Sequence, residues 1–169
     1  MKVLETDRLV LRWMSIDDSE FMLELLNDPS WVRFIGDRGA RTVEDASDYI
    51  RNKIVPMYER IGFGLYLTEL KSDGCPIGIC GLIKRDALED VDIGFAFLPK
   101  FRANGFAFES ASAVMAYGKS ELRLNRIVAI TSPENDRSAR LLEKLGFKFE
   151  RMIALYQDGL ENMLYGADV

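Results

Sequence analysis

The stretch Asp92-Ile-Gly-Phe-Ala-Phe-Leu-Pro-Lys-Phe-Arg-Ala-Asn-Gly-Phe-Ala-Phe-Glu109 decides how this chain is read. Its first half alternates and is rich in aromatic and β-branched residues, the pattern of a strand. Pro99 ends that strand, because proline cannot donate to a ladder. Arg102-Ala-Asn-Gly105-Phe-Ala107 follows, then an Ala-rich apolar run to Tyr117 that fits a helix. Strand, small-residue loop and helix N-terminus together aim several unpaired backbone N–H groups at one point, and the helix dipole adds about half a positive charge there. Phosphate suits such a place. The loop lacks the Gly-Lys-Ser/Thr of a P-loop and the three spaced glycines of a dinucleotide fold, and a tight strand-to-helix turn alone would also call for Gly105.

A second segment, Thr131-Ser-Pro-Glu-Asn135-Asp-Arg-Ser138-Ala-Arg-Leu-Leu-Glu-Lys-Leu-Gly146-Phe147, adds to the first. Together they resemble the GNAT acetyltransferases. Arg102-x-x-Gly105-x-Ala107 matches that family's pyrophosphate loop, Q/R-x-x-G-x-G/A, and Asn135-x-x-Ser138 followed by Glu143-Lys-Leu-Gly-Phe147 matches its second cofactor-binding helix. The opening Leu4-Glu-Thr-Asp-Arg-Leu-Val-Leu-Arg12 and the Asn27-Asp-Pro29 tripeptide are similar to the subgroup that includes the ribosomal-protein N-terminal acetyltransferases. The resemblance covers nearly the whole chain.

From the start, the chain reads as follows. Residues Leu4 to Met14 form a first strand; Asp17-Asp18-Ser19 caps a helix bearing Phe21, Met22, Leu25 and Leu26 on one face. Thr42-x-x-Asp45 opens another helix towards Tyr58 or Arg60, with a bend before Pro56. Strands at Phe63–Leu70 and Pro76–Ile83 flank a hairpin loop, and Val91–Leu98 is central. Arg126–Thr131 is its βαβ partner. Phe147–Tyr156 and Asn162–Tyr165 close the chain around a turn at Asp158-Gly159. The expectation is a single α/β (α+β) domain over residues 1–169: a mixed, mostly antiparallel twisted sheet flanked by helices, with a central parallel pair.

Composition narrows the function. A net charge of −5, without a dense Lys/Arg patch, argues against a nucleic-acid partner. No apolar run reaches membrane-span length, and Glu5, Asp7 and Arg8 interrupt any signal-peptide core. Cys75 and Cys80 lie outside any metal-ligand constellation and read as reduced thiols of a cytoplasmic protein. The absence of histidine removes the usual general base and the commonest zinc ligand, so no metal is expected.

The resemblance implies acetyl-CoA as acyl donor and an amine, either a protein N-terminus or a small molecule, as acceptor. It implies a phosphate cradle at Arg102, Ala103, Asn104, Gly105, Phe106 and Ala107, with Ala103 standing where the subgroup often has a second glycine. It implies that pantetheine pairs with the main chain of Phe95 and Phe97, whose side chains also read as core. Asn135 orients the cofactor, or simply caps its helix. Leu142 occupies the place where many members carry a tyrosine acid, which leaves Ser138 or water to protonate the departing thiolate. For the base, Asp92 stands where the subgroup commonly has an acidic residue; Glu109, Glu161, Tyr156, Tyr165 and water are the alternatives. Asn162 replaces a frequent aspartate of the closing hairpin. Trp13, Trp31, Phe34 and the Gly36–Arg41 loop are candidates for the acceptor wall. The competing readings are a catalytically silent acyl-CoA-binding or regulatory domain and a nucleotide-binding module.

Overall fold

The computed structural model describes residues 1–169. β1 (Lys2–Glu5) and β2 (Leu9–Arg12) form a hairpin, with Glu5 opposite Val10, where the sequence suggested one strand from Leu4 to Met14. The reversal rests on Thr6: its backbone N–H donates to the Leu9 carbonyl at 2.9 Å and its Oγ1 accepts from Leu9 N–H at 3.0 Å. A short 3₁₀ turn, Ile16–Asp18, leads into α1 (Ser19–Leu26). Its capping box joins Ser15 to Asp18, so the cap lies upstream of the Asp17-Asp18-Ser19 cluster.

Asp28 caps α2 (Pro29–Phe34). The Thr42/Asp45 capping box opens α3 (Val43–Tyr49) as the spacing predicts. The expected bend before Pro56 is a π-helical turn, Ile50–Ile54, between α3 and α4 (Val55–Ile61). Widening the turn brings the ladder past a residue whose nitrogen cannot donate.

β3 (Leu65–Leu70), β4 (Pro76–Ile83), β5 (Asp92–Phe97), α5 (Phe106–Ser120), β6 (Arg126–Thr131), α6 (Asp136–Lys144), β7 (Lys148–Ile153) and β8 (Asn162–Asp168) complete the chain. One sheet takes the strands in the order β1-β2-β3-β4-β5-β6-β8-β7, and only β5 and β6 run parallel. One cluster of 31 buried residues, including Leu9, Tyr66, Ile79, Val114 and Ile127, joins sheet and helices into one core. A Cβ on Gly81 would collide with the Gly64 carbonyl, so glycine is demanded there by close approach of the backbone leading into β3.

The central seam positions the site. β5 is registered with β4 from Asp92 to Phe97, but with β6 only at Asp92 opposite Val128. Beyond that point the parallel pair opens into a wedge.

Candidate active site

Backbone parity fixes what faces the wedge. Leu98 N–H donates to Ile77 O on the β4 side, and Val128 N–H donates to Val91 O on the β6 side. Even-numbered residues of β5 therefore hydrogen-bond β4, and odd-numbered ones turn their main-chain groups towards β6. Phe95 lies past the last registered pair, so its N–H and C=O, and the N–H of Phe97, have no strand partner. The Phe97 carbonyl accepts from Arg102 Nε at 3.0 Å. The Phe97 side chain is buried in the core and that of Phe95 packs against it.

At the open end of the wedge sits the loop before α5. From Ala103 through Phe108 no backbone N–H donates to a protein acceptor; the first bond of the helix is Glu109 N–H to Gly105 O at 3.0 Å. Gly105 has φ +79°, and a Cβ there would meet only Arg8 Nη2 at 3.4 Å, so conformation rather than crowding demands the glycine. Ala103 has φ +60°. A positive φ at alanine costs about 1–2 kcal/mol of strain, which the second glycine frequent in the subgroup would avoid.

The polar side chains of the loop are turned to structural work. Arg102 donates to Ser30 Oγ at 3.1 Å and to Asp28 Oδ2 at 2.6 Å, tying the loop to the start of α2. Asn104 Nδ2 donates to Arg102 O at 2.9 Å. Glu109 accepts from Thr6 Oγ1 and from Arg8 N and Nε, holding the β1–β2 turn against the first turn of α5. Burial opposes its ionisation, but these donors win and keep the carboxyl below its ordinary range.

Across the wedge stands α6. Asn135 does cap it, its Oδ1 accepting from Ser138 N–H at 3.2 Å, while the Asn135 amide NH₂ and the Ser138 hydroxyl have no partner within the protein. Both residues line two cavities that meet here. One, of about 650 Å³, runs along Phe95–Phe97, the Arg102–Phe108 loop and α6, where Arg137 and Lys144 lie free of acid partners. Lys144 Nζ sits 4.5 Å from the centre of the Phe108 ring. Sequence reasoning missed both cations; their signal was position on the second helix, facing the first.

The other cavity, of about 660 Å³, opens on the far side and contains Asp92. Asp92 is 2% exposed, and both its oxygens lie 3.2 Å from Arg85 Nε. Arg85 Nη1 in turn donates to Tyr156 Oη at 3.1 Å. Burial pushes the Asp92 carboxyl up, and the Arg85 guanidinium only partly offsets this. Of the other candidate bases, Tyr156 lines this cavity; Glu109, Glu161 and Tyr165 line neither. Trp31 and Phe34 wall both cavities, and Gly36, Arg38 and Asn162 wall the second. Trp13 instead stacks on Tyr58, with ring centres 4.8 Å apart. The buried Trp31 indole N–H has no acceptor within the protein.

The sequence and the fold have known counterparts. A family model described as "Acetyltransferase (GNAT) domain" matches residues 8–148. A Bacillus subtilis (strain 168) protein described as the uncharacterized N-acetyltransferase YoaA is 32% identical over 161 residues, which is 93% of this chain and 90% of that protein. A GNAT-family acetyltransferase from Bacillus anthracis superposes with a TM-score of 0.81 at 25% identity, covering 99% and 98% of the two chains. The ribosomal L7/L12 alpha-N-protein acetyltransferase RimL, solved in complex with coenzyme A, superposes with a TM-score of 0.84 at 16% identity, over 100% and 98% of the chains, a likeness of fold. The GNAT family uses acetyl-CoA. The chain belongs to the GNAT acetyltransferases, enzymes that transfer an acetyl group to an amine.

Proposed function

We propose that this chain binds acetyl-CoA in the wedge and transfers its acetyl group directly to a primary amine, a protein N-terminus or a small molecule, entering through the Asp92 cavity. The observation that carries the reading is the run of unpaired N–H groups from Ala103 to Phe108 at the mouth of a cleft that passes Phe95 and meets Asn135 and Ser138. The N–H groups and the free cations Arg137 and Lys144 suit phosphates. The main chain of Phe95 and Phe97 suits an extended amide-bearing arm, which it would hold as a strand holds its neighbour.

In the reaction the amine nitrogen attacks the thioester carbonyl, the C–N bond forms and the C–S bond breaks. In this reading the Phe95 N–H would donate to the thioester carbonyl oxygen, more strongly as charge grows there. The proton lost by the amine passes to Asp92, directly or through water, and Ser138 or water supplies one to sulfur. No acyl-enzyme is needed. Cys80 is wholly buried with its thiol pushed up to about 12, and Cys75 lines neither cavity. These free thiols also suit a cytoplasmic setting.

Leu142 favours a second reading, a silent acyl-CoA-binding domain, because it offers no acid at the place where the family resemblance implies a tyrosine. Release of free CoA thiol, followed over a panel of α-amines, lysine-like amines and polyamines, separates the two. Turnover on any amine supports catalysis, and calorimetric CoA binding with no turnover across the panel would leave the binding role.

A further inference from the structure

The cavity that holds Asp92 has an ordered distribution of charge. Its charged lining consists of Arg38, Lys53, Arg85, Asp92 and Asp158. Arg85 and Asp92 neutralise each other at the floor. Asp158 is partly engaged, its Oδ1 accepting from Leu160 N–H at 3.0 Å. Arg38 and Lys53 have no acidic partner and no hydrogen bond within the protein, although acidic side chains outnumber basic ones by 27 to 22. A Cβ on Gly36 would lie 3.9 Å from Arg38 Nη1, so the guanidinium folds back over a residue that itself walls the cavity. Lys53 stands on the π-helical turn Ile50–Ile54; with Ile54 of the same turn, Tyr49 at the end of α3 and Met57 on α4, it lines the cavity. Such a wide turn re-aims side chains, and it is frequent at functional sites.

We propose that the acceptor is a primary amine that carries its own carboxylate, and that Arg38 and Lys53 are the groups that recognise that carboxylate. The proposal rests on the acetyltransferase reading above. With the floor pair neutral and two unpaired cations at the exposed rim, the surplus positive charge of the cavity lies at its rim. An ammonium enters first, towards Asp92 and Ser138, and an anion trails at the rim. A polyamine would leave its second ammonium beside two cations that no acid offsets. An amine without a carboxylate would forgo charge-assisted hydrogen bonds that the guanidinium and ammonium leave unused.

The test compares 5-aminopentanoate, its primary amide and spermidine as acceptors at low salt, with release of CoA thiol as the readout. The acid should exceed the amide in kcat/KM by about 10-fold or more, chiefly through KM, and should exceed spermidine as well. In the double variant Arg38→Gln/Lys53→Gln the acid-to-amide ratio should fall to near 1, whereas Arg60→Gln, on α4 outside the cavity, should leave it in place. A tripeptide beginning with acidic residues, run against its amide counterpart, distinguishes a polypeptide start from a small molecule as the source of the carboxylate. Equal use of acid and amide, preference for spermidine, or a ratio that survives the double variant would overturn the proposal. If no amine is turned over, the acetyltransferase reading fails. Calorimetry of the same acid and amide against the CoA-loaded protein then judges the carboxylate site by itself: preference for the acid supports it and equal binding refutes it.

Discussion

Replacing Arg102 by alanine separates two roles that the sequence alone superimposes. The family pattern makes this arginine a phosphate contact, but in the fold its guanidinium spans Phe97 O, Ser30 Oγ and Asp28 Oδ2 at 3.0, 3.1 and 2.6 Å. Asp28 is 4% exposed on its side chain and Arg102 is 21% exposed. Removing one partner of a buried ion pair costs about 3–5 kcal/mol, because the remaining charge is stranded. Arg102 retains some solvent and Asp28 still accepts from Trp31 N–H at 3.3 Å, so about 2–4 kcal/mol is expected here. For a chain of this length that corresponds to a fall in Tm of roughly 4–16 °C. Urea unfolding of Arg102→Ala, Asp28→Asn and the double variant gives the coupling, which should reach about 1.5 kcal/mol or more. CoA affinity, measured well below the new Tm, should fall only as far as the loop loosens. A folded Arg102→Ala protein of unchanged stability that has lost CoA binding would refute this account and return Arg102 to the phosphates.

Ala103→Gly should relieve positive-φ strain at the expense of unfolded-state entropy, a net change of about 0–1 kcal/mol in favour of the fold; a clear loss of Tm would contradict the φ of +60°. Ser138→Ala should lower kcat more than it weakens acetyl-CoA binding, since charge on sulfur develops during the reaction; equal losses, or none, would demote the hydroxyl. Asp92→Asn should reduce kcat/KM by about 10²-fold or more near neutrality, with the deficit shrinking as pH rises and the amine deprotonates unaided. Because burial raises the Asp92 pKa above 3.8, stability should fall as pH rises from there through the raised value, and the asparagine variant should lose that slope in a Tm–pH series. Glu109 behaves oppositely: with its pKa held below 4.5, its stabilisation is present above that pH and is lost as the pH falls through the lowered value, so Glu109→Gln should flatten the acid limb of the same series.

The parts of this fold governed by neighbours in sequence were legible. β4 and β6 run from Pro76 to Ile83 and from Arg126 to Thr131 as read, and Thr42 and Asp45 announce their helix. The hairpin at Thr6 was not, since Thr6-Asp7-Arg8 contains no glycine, proline or asparagine and the turn is held by a threonine hydroxyl. The loop before α5 was legible as a strand-to-helix turn that needs Gly105, while the sign of φ at Ala103 was not, because it belongs to the backbone path. Partners far apart in sequence were hidden altogether: Arg102 reaches back 74 residues to Asp28, and Arg85 links Asp92 to Tyr156. Each of these gives a protein partner to a charged side chain that the motif alone would leave facing the ligand or the chemistry.

The opening between β5 and β6 gives this sheet a second pair of edges, inside the molecule. An exposed strand edge ordinarily invites pairing with another chain. Here the edges face each other, and the free main-chain groups of Phe95 and Phe97 suit one extended chain. A ligand that pairs there, as proposed above, would extend the sheet, so that ligand and fold would share one hydrogen-bond network. Occupancy at 100 times Kd should then stabilise the protein by about 2.7 kcal/mol through linkage. In hydrogen exchange the Phe95 and Phe97 amides should slow on ligand binding far more than their even-numbered neighbours Gly94 and Ala96, which β4 already holds.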